Sequence, residues 1–366
     1  MLKDLAKLKI ALFCHGLKFD DKRFGGKGRR SGAGPAGGRF LRLAKDIIAN
    51  VPTWPKFVKE SIFELRYEDN EFEIWREEKE LVKVELIPSR YDYYDKKTSN
   101  NIMMRKIALI HGEDCLATTV NQRCYYWRTG QQCVFCGIEE SLKRAETVAK
   151  KDPIDLYETA QSAIEEGVCK HITLTTGTVN SEDKGAKYME KIVRKLSTLG
   201  VPIHVQVEPP KDFKWFDKLH DAGAETIGVH IETMNPESFS KYCPGKSNSS
   251  SIETFINAWR YCLDIFGKNQ VDTYYLIGLE KSIEDLIANL EKIANLEVIP
   301  FPVQVRPISG AKLEDIKIPE YDDLLNIYSE LGKILHKNSL NPFQNKAGCV
   351  RCNSCSALKE AYRYLS

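Results

Sequence analysis

The chain has no run of eighteen apolar residues, so no transmembrane helix is expected. Its opening stretch, MLKDLAKLKIALFCHG, lacks an apolar core followed by a small-residue cleavage site. That argues against secretion and makes the cytoplasm the expected location. Charge of one sign is missing too. Lys and Arg number 53 and Asp and Glu 51, a net charge of +2, so nothing in the balance calls for nucleic acid or a membrane surface. One short segment departs from this: Gly25–Arg39, GGKGRRSGAGPAGGR, is basic and Gly-rich. It reads either as a solvated flexible loop or as a phosphate or substrate loop. No internal repeat beyond a strand–helix unit is visible. At 366 residues the chain can bury the core of one barrel-sized domain with smaller additions.

Cysteine, by contrast, is plentiful. Eleven cysteines in a chain with no secretory signature point to metal or redox chemistry over a disulfide framework. Three of them, Cys124, Cys133 and Cys136, lie in RCYYWRTGQQCVFCG, with eight residues and then two between them. Three more, Cys349, Cys352 and Cys355, lie in GCVRCNSCSAL, two residues apart each time. Soft thiolates in close triplets hold iron or zinc, and two triplets suggest two iron–sulfur clusters. Zinc is the competing reading, but a structural zinc normally takes four protein ligands in paired Cys-x-x-Cys knuckles. The single cysteines Cys14, Cys115, Cys169, Cys243 and Cys262 read as buried small hydrophobes.

Three segments follow from the patterning. Residues 1–112 form an α+β extension, in which Ser61–Arg66, Glu71–Arg76 and Leu81–Ile87 alternate apolar and charged residues as an antiparallel meander. Residues 113–315 alternate apolar strands with amphipathic helices. The predicted strands are Leu116–Gln122, His171–Thr176, Pro202–Glu208, Thr226–Glu232, Val271–Ile277 and Phe301–Arg306, each followed by a helix. Strands that are apolar throughout are buried on both faces, so the fold class is α/β, a partial (β/α)6 TIM-type barrel. Residues 316–366 hold the last helix and a polar tail with the second triplet. In such a barrel, chemistry belongs at the C-terminal strand ends, where Thr175, Thr176, Gly177, Gln206, Glu208, His230, Glu232, Gly278, Glu280 and Arg306 fall. Both triplets are expected near that face.

Three thiolates leave a four-iron cluster with one iron open to an outside chelator. This arrangement resembles the radical S-adenosylmethionine (SAM) enzymes over about Leu116–Lys312. Their usual spacing between the first two cysteines is three residues, so the eight here resembles the extended-loop variants. Phe135, before the last cysteine, fits the family position that packs near adenine. Leu174–Gly177, LTTG, stands where the family receives the methionine amine, although no Glu follows. Ile277–Glu280, IGLE, resembles the adenine segment, and Val305–Gly310, VRPISG, resembles a FRPLPGT segment loosely. The runs LATTVNQRC, CGIEESL, GVHIETM, CPGK and GLE are similar to a biotin-synthase-related subgroup. The resemblance implies SAM, a [4Fe–4S] cluster on the first triplet and a 5′-deoxyadenosyl radical that abstracts hydrogen from substrate. Phe135, Thr175, Thr176, Gly177, Glu208, His230, Glu232, Gly278 and Arg306 are the implied cofactor contacts. Glu208 would bind ribose hydroxyls. His230 and Glu232, alternating on one strand, would meet the methionine carboxylate or substrate, or else form a core pair. Arg306 would pair a carboxylate.

The second triplet matches the first three cysteines of a ferredoxin-type run and implies an auxiliary [4Fe–4S] cluster, with a zinc tail as the alternative. Cys243, Cys14 or a hydroxyl such as Ser366 are candidates for its fourth ligand; the alternative is an open iron facing the substrate. Lipoyl synthase resembles this case, which implies sulfur insertion into an acyl chain on a carrier protein, with a second radical SAM protein as an implied partner. The alternatives are an electron-relaying cluster, for a dehydrogenation, ring closure or rearrangement, and a catalytically silent metal-binding scaffold. A ferredoxin or flavodoxin is the implied electron donor. Tyr125, Tyr126 and Trp127 read as shielding for the first cluster.

Overall fold

The computed structural model describes residues 1–28, 38–313 and 318–366. Most of the basic Gly-rich segment, and the expected boundary at 315, therefore lie outside the described residues. On the near side of that segment, Arg39 is 3% exposed and donates to the carbonyls of Phe24 (2.6 Å) and Gly26 (2.8 Å).

Two sheets organise the chain. The first has five antiparallel strands in the order β2-β1-β5-β4-β3. These are β1 (Gly38–Ala44), β2 (Ile47–Pro52), β3 (Phe63–Glu68), β4 (Glu71–Arg76) and β5 (Lys79–Leu86). The last three are the expected meander; β1, β2 and a helix at Leu2–His15 are additional.

The second sheet runs β6 (Leu109–His111), β7 (Cys115–Thr119), β8 (His171–Thr175), β9 (Ile203–Gln206), β10 (Ala224–Gly228), β11 (Val271–Ile277) and β12 (Ile299–Gln304), in sequence order. The pairs from β7 to β12 are all parallel, and β6 pairs antiparallel with β7. The sheet curls into a half-barrel that stays open between β12 and β6. Pro300 and Pro302 in β12 fit that opening, because an edge strand tolerates residues without an N–H to donate. The helices between strands begin where the sequence caps them. Asp152 accepts from Ile154 N with Pro153 at the first helical position, and Ser251 and Ser282 do the same for Ile252–Phe266 and Ile283–Asn295.

The open side is filled by the chain's two ends. Helix Leu2–His15 lies against β2 and helix Tyr321–Lys337, and the side-chain amide of Gln304 in β12 donates to Phe13 O. Lys9, fully buried, donates to Asn353 O (2.9 Å) and Glu360 Oε1 (3.0 Å) in the tail. Among the described residues, no helix is long and apolar enough to cross a membrane.

Candidate active site

The first triplet follows β7. Cys124 caps the short helix Tyr125–Arg128, and Cys133 and Cys136 follow that helix. Tyr125 N donates to Thr178 O beyond β8 (2.7 Å), and Val134 N donates to Tyr242 O beyond β10 (2.9 Å). The loop is thereby anchored over the C-terminal mouth, where it was expected. Burial pushes the Cys136 thiol up to about 12, with Cys133 adding to the effect. A metal relieves that penalty, because a thiolate shares its charge with it. Burial raises Cys124 as well, but backbone N–H groups of Tyr126 and Trp127 oppose the rise. Such amide donors to sulfur suit an iron–sulfur ligand.

The second triplet lies elsewhere than expected. The tail docks on the N-terminal ends of the strands, not the C-terminal ones. Gly348 N donates to Nδ1 of His171, the first residue of β8 (3.1 Å). Thr226 Oγ1 in β10 donates to Ala347 O (3.3 Å), and Asn345 Nδ2 donates to Asn269 O, just before β11 (2.8 Å). Ser356 Oγ donates to Pro302 O (2.7 Å). The tail's partners are side chains of β8 and β10 and the carbonyls of Asn269 and Pro302, which its Asn and Ser side chains satisfy. From below, Cys349 reaches the Gln206 side-chain amide (3.5 Å), and Cys355 reaches that of Asn50 in β2 (3.5 Å).

The triplets nonetheless face one space. A single cavity of about 310 Å³ is lined by all six triplet cysteines. Its wall between them is largely apolar and includes Ile107, Ala117, Leu276, Phe301 and Val303. Among the described residues, no three His, Cys, Asp or Glu side chains converge on the spacing of a single metal ion. A cuboidal cluster gives each thiolate its own iron and spreads its ligands wider than one zinc does. The triplets' free thiols and their sulfur-directed N–H donors fit clusters better than they fit zinc.

The other expected contacts sort clearly. Phe135, Thr175, Thr176, Gly177, Glu208, His230, Glu232 and Arg306 all line the cavity, whereas Gly278 is exposed and lies off its wall. Gly278 turns outward beyond β11 with φ 108, so it serves the turn and not the site. The Gly177 N–H is bonded to Asn121 O (2.8 Å). Glu208 accepts from Tyr126 Oη (3.0 Å) and Thr178 Oγ1 (2.6 Å), so both of its oxygens are engaged. His230 and Glu232 lie just past the end of β10, and Glu232 has φ 72, a strained value for a side-chain-bearing residue. Glu232 Oε1 and His230 O both accept from Lys246 Nζ at 2.9 Å. Burial alone would lower Lys246, but Glu232 and Cys133 hold it well above its ordinary value. His230 Nδ1 accepts from Tyr274 N (3.1 Å), its ring stacks on Tyr274, and burial drives its pKa well down. The imidazole is therefore neutral, with Nε2–H buried and unpaired among the described residues.

Among the described residues, Arg306 has no carboxylate partner. It is 3% exposed, donates through Nη2 to Asn50 O (2.7 Å) and lies over the Phe13 ring. Its Nε and Nη1 are buried without partners. The three candidate fourth ligands for the second triplet do not reach it. Cys243 hydrogen-bonds Cys133 of the first triplet. Cys14 lies off the cavity near Glu320 and Asp323, and Ser366 Oγ is bonded to Tyr362 O (3.5 Å). Lys246 was visible only as the last letter of CPGK. Cys115 and Tyr274 carried no local signal, since both look like core residues within apolar strands.

A half-barrel with a cysteine triplet on the loop after its first parallel strand agrees with the resemblance to radical SAM enzymes. Sequence comparison agrees, with residues 130–293 matching the Radical SAM superfamily. The chain thus carries a radical SAM domain, a class that works with SAM and a [4Fe–4S] cluster. It is similar to bacteriochlorophyllide c C-7(1)-hydroxylase of Chlorobaculum limnaeum, at 22% identity over 68% of this chain and 66% of that one. It is also similar to an uncharacterized protein of Methanocaldococcus jannaschii, at 23% identity over 76% of this chain and 68% of that one. The matches span about two thirds of these relatives' length. Among solved structures, methylornithine synthase superposes with a TM-score of 0.49 at 17% identity, covering 67% of this chain and 71% of that one. A maturase of the [FeFe]-hydrogenase gives 0.45 at 15% identity, covering 58% and 48%.

Proposed function

We propose that this enzyme abstracts a hydrogen atom from an unactivated C–H bond of an aliphatic substrate and completes the reaction at a second iron–sulfur cluster on Cys349, Cys352 and Cys355. The product would be the sulfur-inserted chain, as lipoyl synthase makes. One observation carries this reading: both triplets line a single cavity with an apolar wall between them. An acyl chain lying along that wall would meet the first triplet's end with one part and the second triplet's end with another. When bound, the two clusters supply the electron that splits SAM and the sulfide that enters product. The chain's own residues position and protect. Tyr126, Trp127 and Phe135 exclude water around the first triplet, and the Glu232–Lys246 pair fixes the loop after β10. His230 offers a neutral Nε2–H donor to whatever occupies the middle of the cavity. The unpaired nitrogens of Arg306 offer donors near Cys355.

A second reading, in which the auxiliary cluster only relays electrons, draws on the hydrogen bonds to its sulfurs. Gln206 and Tyr274 reach Cys349 and Asn50 reaches Cys355, and donors of this kind raise a cluster's potential. The hydroxylase relative, by its name, also acts on a carbon–hydrogen bond. A ferredoxin or flavodoxin would reduce the enzyme, and an acyl carrier protein would present the substrate, with a second radical SAM protein sharing the two insertions.

The test is to incubate the reduced enzyme with SAM and a carrier peptide bearing deuterated octanoyl. Deuterium in 5′-deoxyadenosine together with thiolated peptide is expected. Deuterium transfer with a sulfur-free, oxidised product would favour the relay. Cys124→Ala/Cys133→Ala/Cys136→Ala should make no 5′-deoxyadenosine, and any that it made would sink the assignment of the first triplet.

A further inference from the structure

We propose that Cys115 is the fourth protein ligand of the cluster begun by Cys349, Cys352 and Cys355, so that four cysteines hold it; this rests on the two-cluster reading above. Cys115 opens β7 at the N-terminal end of the lumen, is 2% exposed and lines the same cavity as the tail cysteines. The tail grips it from two sides. On one side is the β6–β7 hairpin, in which His111 stands opposite Cys115. Cys352 Sγ lies 3.9 Å from His111 O, and Gly112 in that turn has φ 63. A Cβ at Gly112 would run into Cys352 Sγ and Ser354 Oγ, so the turn is bare where the tail cysteine seats. On the other side is β8, where His171 pairs with Cys115 and accepts from Gly348 N, immediately before Cys349. Cys352 and Cys349 thus approach Cys115 from opposite neighbours of one strand. A Thr173 hydroxyl 3.2 Å away completes the surroundings of Cys115.

An independent observation is consistent with the extra negative charge. Arg306 is buried beside Cys355, with Nε and Nη1 unpaired among the described residues. A buried cation is costly without a counter-charge. A four-iron core with four thiolates is one charge more negative than with three, and its sulfurs accept N–H donors. Ligation by Cys115 also leaves no iron of this cluster open to substrate. The second cluster would then act through its electrons or its bridging sulfide, not as a binding site for substrate.

The test uses the full chain carrying Cys124→Ala/Cys133→Ala/Cys136→Ala, in which all iron belongs to the second cluster. After anaerobic reconstitution and mild ferricyanide oxidation, the parent should keep about four irons and show no three-iron signal by electron paramagnetic resonance. Cys115→Ala should drop to about three irons and show that signal, because the iron lacking a protein ligand leaves first. Cys115→Val, which fills the space, should do the same if the alanine variant folds poorly. Ser354→Ala, which removes the hydroxyl 3.0 Å from Cys352 Sγ, should behave as the parent. Cys115 variants that keep four irons with no three-iron signal would overturn the fourth-ligand assignment while leaving the second cluster in place. A parent without iron would overturn both.

Discussion

His204 sits in the lumen with Nδ1 2.7 Å from Thr226 Oγ1 and Nε2 3.8 Å from Asp272 Oδ2, all three side chains at 0% exposure. Distance alone would make this an ion pair. Burial argues otherwise: it pulls the imidazole down to about 3 and pushes the Asp272 carboxyl well up, so both are neutral. The sign of the pH dependence follows. The folded chain resists protonating His204, whereas the unfolded chain accepts the proton near the ordinary imidazole value of 6.5. The contribution of His204 is therefore present above that value and is lost as pH falls toward 3, by up to about 1.4 kcal/mol per pH unit. His171 and His230 are lowered in the same sense, while Asp272, which is raised, acts in the opposite sense. The informative measurement is a difference. Denaturant midpoints of wild type and His204→Gln, taken from pH 7 downward, should converge as the wild type loses its advantage. Parallel profiles would mean that His204 is charged in the fold.

At the scale of elements, the strand and helix order was legible because burial on both faces leaves a plain record. Val271–Ile277 is the strand its apolar run implies, and Gly200 and Gly223 end helices with positive φ just before the next strand. The last strand was placed two residues late, because Pro300 and Pro302 look like breakers until the open edge is known. Helix Leu2–His15 was missed since its core contacts, Lys9 included, are with the far end of the chain. The loop that holds the first triplet was legible because it adjoins its strand. The docking of the tail was not, since it rests on hydrogen bonds to side chains and carbonyls 54 to 177 residues away in sequence. One glycine makes that docking possible. Gly348 has φ 90, and a Cβ there would meet the ring of His204. Gly348→Ala should lift the second triplet away and leave the first untouched. Iron content should fall by about half, while cleavage of SAM to 5′-deoxyadenosine persists within about twofold. Loss of both activities, or full retention of iron, would show that the tail is not held by this contact.

Across the whole molecule, the two triplets enter one lumen from opposite ends, the first over the C-terminal mouth and the second through the N-terminal one. Both triplets were expected at the C-terminal face, with opposite faces counting against cooperation of the clusters; that expectation is not met, and the cooperation proposed above rests instead on the cavity that all six cysteines line. It also divides the labour. On the proposed reading, SAM cleavage would require only the first triplet and the cavity residues about it: Phe135, Thr175–Gly177, His230, Glu232 and Lys246. Whatever follows hydrogen abstraction requires the second. Replacing Cys349, Cys352 and Cys355 with Ala should therefore leave about half the iron and uncoupled formation of 5′-deoxyadenosine, with substrate product reduced by at least about 100-fold. The two roles of the second cluster separate in a single turnover of the wild-type chain whose clusters are rebuilt with labelled sulfide. Label in the product means donation from the cluster; unlabelled sulfur-containing or oxidised product means relay. Full product from the tail variant would reject both roles and reduce the second triplet to a structural clasp across the open side of the barrel.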